Sequence, residues 1–516
     1  MKSVKVRSIE LADALAKDKP SKWSPGMLQL YGIMLLVTIN DCMNGFDGSV
    51  MGSLNAMKTF HDFFHVGMQG SGIGLTTAIY TVGNILGSMF AGTASDIYGR
   101  RFGMFIGSLF IVIGTIIQAT PEHGDLHQFM GGRFLVGFGV PLAVTSAPIY
   151  LVEIAYPTWR GIFGGLYNVV GYYVGALAAT WTSYGTGKLT SDWSWRLPVI
   201  IQAIPSLLVM TLIWTIPESP RYLWGNHKGQ KAKDILTKYH GDGNPNSAVV
   251  ELECKEIQES IDFEAELLST RWWDYRPLFT TRPARYRVWL LMLVTVFPQF
   301  IGGAVISYYM ATILEDVGIT SSSQQLLLNA LNTIFSFLSG IAGSFMVDKL
   351  GRRTLFLWGT FLTMLVYIPI NVIAAIAEGH VGTGPGYAFI AMIFLYGIFF
   401  SFSWTPLQAL YPSEILNNDV RAKGMAFQGF TSGVASFINT YATPVALKNI
   451  GWKTYTIFLV FHFLQWVAMY FTIVETKGRS LEEIEEIFDN TKPVKKSRER
   501  HHVIIRKGEG VKLQDC

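Results

Sequence analysis

The sequence predicts an all-α membrane protein, with twelve transmembrane helices in two pseudo-symmetric six-helix bundles. Three observations point there. Half of the 516 residues are hydrophobic, only 15% are charged, and the mean hydropathy is +0.31. Apolar stretches of about 20 residues, the length that crosses a bilayer core, recur through the chain. Polar motifs of the first half return in the second half in the same order. Backbone polar groups cannot stay unpaired in lipid, so stretches this long and apolar must be helical.

Residues 1–26 ("MKSVKVRSIELADALAKDKPSKWSPG") form a polar segment without the apolar core of a signal peptide. The first helix is therefore expected to remain in the chain. Six apolar stretches centred near residues 38, 84, 110, 139, 172 and 206 build a first bundle over 27–216. Residues 217–286 are the one long polar interval, and "AVVELECKEIQESIDFEAELL" within it has the spacing and mixed charge of surface helices. Six further stretches, near 299, 336, 365, 397, 434 and 464, build a second bundle over 287–475. The cytoplasmic tail spans 476–516, and the part after about residue 490 ("KKSRERHHVIIRKGEG") is basic and expected to be solvated and without fixed structure.

The net charge of +4 matters less than where the charges lie. If the N-terminus is inside, the even-numbered connections and both tails hold nearly all the Lys and Arg. The odd connections hold Lys58, Lys188, Lys448 and Lys453, with Arg196 at a helix mouth. That bias predicts a multi-pass protein of the cell membrane with both termini in the cytoplasm. Cys42, Cys254 and Cys516 lie far apart and offer neither a disulfide framework nor a metal site. No cofactor and no nucleic-acid partner is implied. The expected partners are the lipid bilayer, a small solute and a proton, handled by a monomer.

Three pairs of motifs argue for a duplicated six-helix unit. "DIYGRR" (Asp96, Gly99, Arg100, Arg101) follows the second helix and "DKLGRR" (Asp348, Gly351, Arg352, Arg353) the eighth. "EIAYPTWRG" carries Glu153 and Arg160, and "EILNNDVRAKG" carries Glu414 and Arg421 at the same separation. "PESPR" with Glu218 ends the sixth helix, and "VETKGR" with Glu475 the twelfth. The glycines permit a sharp turn, and arginine forks suit carboxylates. Two readings stand: an ionic gate on the cytoplasmic side, or basic clusters that enforce topology.

"INDCMNGFDGSV", residues 39–50, places Asp41, Asp47, Asn40 and Asn44 inside the first apolar run. At 100° per residue, Asn40, Asn44 and Asp47 fall within about 60° on a helix and must face protein or a water path. An ionisable residue at this depth costs at least roughly 2.5 kcal/mol and by default has a function and a partner. Arg133 in "GGRFLVGFG" is the only Arg set well into an apolar run. An acid whose distance to an Arg changes between two states takes up a proton in one and releases it in the other; the alternative is a static ion pair. Asp41 sits about 120° from Asp47, and stands either as a solute ligand or as an interhelical hydrogen bonder.

These motifs resemble those of the sugar porter family of the major facilitator superfamily, over about residues 28–488. The paired Asp-x-x-Gly-Arg-Arg loops are similar to the superfamily's; "PESPR" and "ETKGRSLEEIEEIF" to the sugar porter branch. "NGFDGSVMGSLNAM", "KYHGDGNPNS", "WWDYRPLF" and "SYYM" resemble fungal lactose and cellodextrin permeases most. The resemblance implies two bundles rocking about a solute bound midway. It implies that Asp47, in "GFD", exchanges the coupling proton with Arg133 as partner, hence symport. It also implies gate roles for the paired cytoplasmic motifs, with Ile97 standing where the family usually has Arg.

A sugar offers hydroxyls and a faintly apolar ring face, so its site needs amides, hydroxyls and aromatic surfaces. In "FPQFIGGAVISYYMATIL", Gln299, Gly302, Tyr308 and Tyr309 match the family's sugar-binding segment. Pro298 replaces one amide, while Gly303 and Ala304 leave another amide position empty. Asn168, Asn332, Gln408 beside Ala409, and Asn439 are the remaining candidates; each has an interhelical hydrogen bond as its alternative. Fewer amides, and Ala409 where the family stacks a Trp, favour a disaccharide, a glycoside or a less polar metabolite over a simple hexose. An enzyme finds no support: no G-x-S-x-G, Walker A or zinc-ligand pattern stands in a suitable context. Export of a metabolite and a non-transporting sugar sensor remain as rivals.

Overall fold

The computed structural model describes residues 14, 23–267, 274–316, 319–377, 383–416, 418–479, 481–499, 501–504 and 512–515. Six spans come first: Pro25–Leu54, Ser71–Tyr98, Arg100–Ala119, Leu126–Ile154, Arg160–Thr186 and Trp193–Thr215. The first starts where Ser24 accepts from the Met27 N–H and Pro25 occupies the first turn, both favourable at a helix N-terminus. Surface helices Pro220–Gly225, Gly229–Tyr239 and Ala248–Leu267 follow.

The second half repeats the pattern with two interruptions. Its first span, the seventh of the chain, is three pieces: Arg282–Thr295, a 3-10 turn Phe297–Phe300, and Gly303–Asp316. Spans eight and nine are Ser322–Leu350 and Arg352–Ala377. Span ten breaks between Thr383–Ser403 and Leu407–Ile415, and spans eleven and twelve are Asn418–Ile450 and Lys453–Thr472. The breaks have local causes. Pro298 and Pro406 lack an N–H, and Gly302 takes φ +87°, which L side chains rarely adopt. The sequence predicted single apolar runs here; propensity within a run does not reveal a break that neighbouring helices stabilise.

The tail departs from expectation only beyond about residue 490, after a first helix. Leu481–Asp489 packs Ile484, Ile487 and Phe488 against the second bundle. Beyond it stand a short helix, Pro493–Arg498, and an antiparallel pair, His501–Ile504 with Lys512–Asp515. The β-branched pair Val503 and Ile504 suits a strand, which a reading of charge alone missed.

Small residues set the helix spacing. A Cβ at Gly45 would collide with the Tyr172 carbonyl, and one at Gly175 with the Cys42 carbonyl, so spans one and five touch backbone to backbone. Each half has its own buried apolar clusters, around Met104, Val136 and Tyr150 in the first and Phe356, Trp404 and Tyr411 in the second. Large apolar side chains such as Met89, Phe90, Phe345, Trp358 and Phe471 point outward, as lipid-facing positions require.

The start of span one, the end of span twelve, the surface helices and the two Gly-Arg-Arg turns share one face, called here the terminal face. At the opposite face the halves close on each other. Asn55 Nδ2 donates to the Tyr308 carbonyl (2.8 Å), Asn329 Nδ2 to Ser53 Oγ (3.3 Å), and the Gly70 N–H to the Pro444 carbonyl (3.0 Å). Midway through the membrane, Tyr173 Oη lies 2.9 Å from Ser401 Oγ.

Candidate functional site

The terminal face carries two copies of one network. Arg100 donates a fork to Glu153 (3.1 and 3.2 Å) and a third bond to Asp96 (3.1 Å). Arg352 donates the same fork to Glu414 (3.1 and 2.7 Å) and a third bond to Asp348 (2.9 Å). Arg101 caps the end of span six through the carbonyls of Ile213 and Trp214 (3.2 and 3.0 Å). Arg353 caps span twelve through Ile473 and Tyr470. Glu218 accepts the backbone N–H of Arg101 (3.4 Å), and Glu475 those of Arg352 and Arg353 (2.9 and 3.1 Å). Burial raises the Glu218 carboxyl above the usual range, against the lowering pull of the Ser219 and Arg101 N–H groups and the arginine charges.

Gly99 and Gly351 turn these loops at φ +101° and +92°; a Cβ there would lie 2.5 Å from Glu218 Oε2 and 2.6 Å from Glu475 Oε2. The networks therefore tie helices together within each bundle. The side chains of Arg160 and Arg421 lie outside the described residues. Sequence reasoning passed over two further pairs. Ser219 and Thr476 donate to Glu153 and Glu414 (2.5 and 2.6 Å), while Tyr150 and Tyr411 donate to the carbonyls of Pro217 and Val474 (2.8 and 3.0 Å). The signal was present: each Tyr stands three residues before its Glu, in "YLVE" and "YPSE".

In the first bundle, Asp47 is fully buried, and neither carboxylate oxygen has a hydrogen-bond partner among the described residues. Arg133, also fully buried, lies across from it on span four but donates to the Asp47 backbone carbonyl (3.4 Å), not to the carboxylate. Its guanidinium sits 4.8 Å from the centre of the Tyr80 ring, and Nε and Nη2 have no hydrogen-bond partner among the described residues. The two residues meet as the sequence predicted, though not as a side-chain ion pair. The polar stripe splits too. Asn40 donates to Val37 O (2.9 Å) and faces Met104 of span three, whereas Asn44 donates to Asp41 Oδ1 (3.3 Å). Asp41 is buried against span five at Gly171, and its Oδ2 has no hydrogen-bond partner among the described residues.

The second bundle gathers a strip of amides and hydroxyls. Gln299, in the 3-10 turn of span seven, donates to Ser432 Oγ on span eleven (3.4 Å). One helical turn away, Gln428 donates to the Gln408 backbone carbonyl (3.4 Å). Gln428, Ser432 and Asn439 lie within about 40° on span eleven, so Gln428, absent from the sequence-derived set, belongs with it. Asn439 is buried and accepts from Thr443 (3.1 Å), with Nδ2 free of partners. Asn332 stands apart, its Oδ1 buried against Gly397 of span ten. Tyr309 donates to the Thr440 carbonyl (2.8 Å), whereas Tyr308 offers its own carbonyl to Asn55. The Asn168 side chain lies outside the described residues.

A family model described as "Sugar (and other) transporter" matches residues 33–488. The chain belongs to this family. It is a multi-pass membrane transporter of the major facilitator superfamily, not an enzyme. Among its relatives are a high-affinity glucose transporter of Kluyveromyces lactis, 28% identical over 91% of this chain and 87% of that protein, and the MFS-type transporter criB of Aspergillus cristatus, 28% identical over 92% and 97%. A quinate permease of Emericella nidulans is 26% identical over 93% and 92%. The xylose transporter XylE of E. coli, in a partially occluded inward-open conformation, superposes with TM-score 0.73 at 23% identity, over 87% of this chain and 99% of that one. The breaks in spans seven and ten and the paired terminal-face networks are how this chain builds that fold.

Proposed function

We propose that this sugar porter imports a sugar together with a proton by alternating access. Residues 27–216 and 287–475 are the moving units, and the terminal face lies in the cytoplasm, as the Lys and Arg bias favours. The observation that carries the reading is Asp47, fully buried and with its carboxylate unpaired although a buried guanidinium stands on the facing helix. An acid unpaired in one state and paired in the other binds a proton in the first and loses it in the second. Both residues belong to the first bundle, so the change in their distance comes from a shift of span one against span four that accompanies the rocking.

Gln299, Gln408, Gln428, Ser432 and Asn439 supply donors and acceptors for the cargo, and Tyr308, Tyr309, Asn168, Asn332 and Asp41 remain residues of the same proposed site. With Pro298, Gly303 and Ala304 in span seven the donors are few, which favours a disaccharide or glycoside over a hexose. The kinship with both a glucose transporter and a quinate permease supports a polyhydroxylated cargo. The proposed test is uptake of labelled lactose, cellobiose and hexoses by a transporter-deficient yeast, with and without a protonophore. Asp47→Asn is expected to abolish accumulation while sparing exchange; undiminished accumulation would end the proton-coupling reading. The poor donor set of span seven also favours a second reading, export of a metabolite, which predicts efflux from loaded cells and no uptake in the same assay.

A further inference from the structure

The connection between spans one and two, residues 55–70, lies on the face opposite the termini and contains a short helix, Lys58–Phe64. Its His61 is buried, and both ring nitrogens are engaged. Nδ1 is 2.9 Å from the Val66 carbonyl and Nε2 is 3.0 Å from the Asn55 carbonyl. A carbonyl oxygen accepts and never donates, so each ring nitrogen must carry a hydrogen. Only the imidazolium meets that requirement. A neutral ring aims one lone pair at a carbonyl oxygen and loses that bond.

The two carbonyls belong to the two ends of the connection, and each end reaches across to the other bundle. The Asn55 side chain donates to the Tyr308 carbonyl of span seven, at the point where the backbone kinks through Tyr309 (φ −122°, ψ 21°). Four residues beyond Val66, the Gly70 N–H donates to the Pro444 carbonyl of span eleven. One ring thus clasps the two segments that close this face.

The charged and titratable groups around the clasp are known. Lys58, Asp62 and His65 lie on its own helix and cap; His123 stacks on Phe63, and Asp125 follows it in the next connection. Asp192 and Arg196 belong to span six, Arg196 lying 5.1 Å from the Phe63 ring centre, and Lys448 of span eleven packs on Gly70. Among the described residues, the ring's hydrogen bonds go to the two carbonyls and to none of these groups.

We infer that His61 is a proton-operated clasp of the gate opposite the termini: its imidazolium favours the closed gate, and its neutral form releases one end of the connection. Acid on that side then favours closure, because only the doubly protonated ring donates to both carbonyls at once. This rests on the alternating-access reading above and concerns a different residue from Asp47. Histidine is suited to the task, since it changes charge near physiological pH.

The test is double electron–electron resonance on the full chain in nanodiscs. Spin labels sit on Glu122→Cys and Ser323→Cys, exposed positions of the two bundles on this face, with Cys42, Cys254 and Cys516 replaced by Ser. The readout needs neither cargo nor gradient, so it fails separately from the transport proposal. The parent is expected to show the short distance at about pH 5.5, and a roughly ten-fold larger long-distance population at about pH 7.5. His61→Leu is expected to show the long distance at both values. His61→Lys, whose ammonium stays charged and holds three donors, is expected to keep the short distance at both. Identical distributions in the parent and His61→Leu, or a pH response that persists in His61→Lys, overturn the inference.

Discussion

Arg352 shows how much one side chain holds in this protein. Its guanidinium is nearly buried and bonds Glu414 twice and Asp348 once, while its backbone N–H reaches Glu475. Asp348 is largely exposed and contributes little; the Glu414 fork is the partly buried member. Removing one partner of such a pair leaves the other uncompensated, so Arg352→Ala should destabilise the purified protein by about 3 kcal/mol, read from thermal unfolding. Arg352→Lys should lose part of that, because an ammonium cannot form the fork. Glu218 gives a pH-dependent prediction. Its carboxyl is raised by burial, so the folded state holds that proton more firmly than the unfolded state does. Stability from this group is therefore fullest below the ordinary carboxylate value and is lost as pH rises through the raised one. Glu218→Gln should flatten that slope, measured as melting temperature between about pH 4 and 7.

Span seven is the element whose behaviour its composition conceals. An apolar run with one Pro and two adjacent Gly reads as a helix, yet the chain breaks at Phe297–Phe300 and resumes at Gly303. Neighbours stabilise the break: Tyr396 donates to the Ile301 carbonyl (2.9 Å), and the Tyr367 ring fills the space where a Cβ on Gly302 would stand. Gly302→Ala combines a positive φ with that collision and should cost roughly 1–3 kcal/mol, visible as a lowered melting temperature. Adding Tyr367→Phe should recover part of the loss, since the hydroxyl is the closest colliding atom. The paired terminal-face motifs were legible because they are short, charged and repeated. Pro298, Gly302 and Gln299 were legible as residues, but their geometry was not, because the hydroxyl that satisfies the broken backbone comes from span ten and the ring that packs on Gly302 from span nine.

For the whole molecule, the balance between the two bundles decides function. At mid-depth the hydroxyls of Tyr173 and Ser401 meet across the interface. Tyr173→Phe removes a bond worth about 1 kcal/mol and should shift the conformational population roughly five-fold without lowering expression, as read by distances between labels on the two halves. Sequence by itself determined the twelve spans, the duplication, the charged turns, and the depth of Asp47 and Arg133, since hydropathy and motif spacing are properties of the chain alone. Tertiary structure alone decided that Arg133 takes the Asp47 carbonyl, that Gln428 takes the Gln408 carbonyl, and that His61 bridges two carbonyls. Helical periodicity assigns a residue to a face of its own helix, but which atom it meets depends on the rotation and height of the neighbouring helix, and only packing sets those.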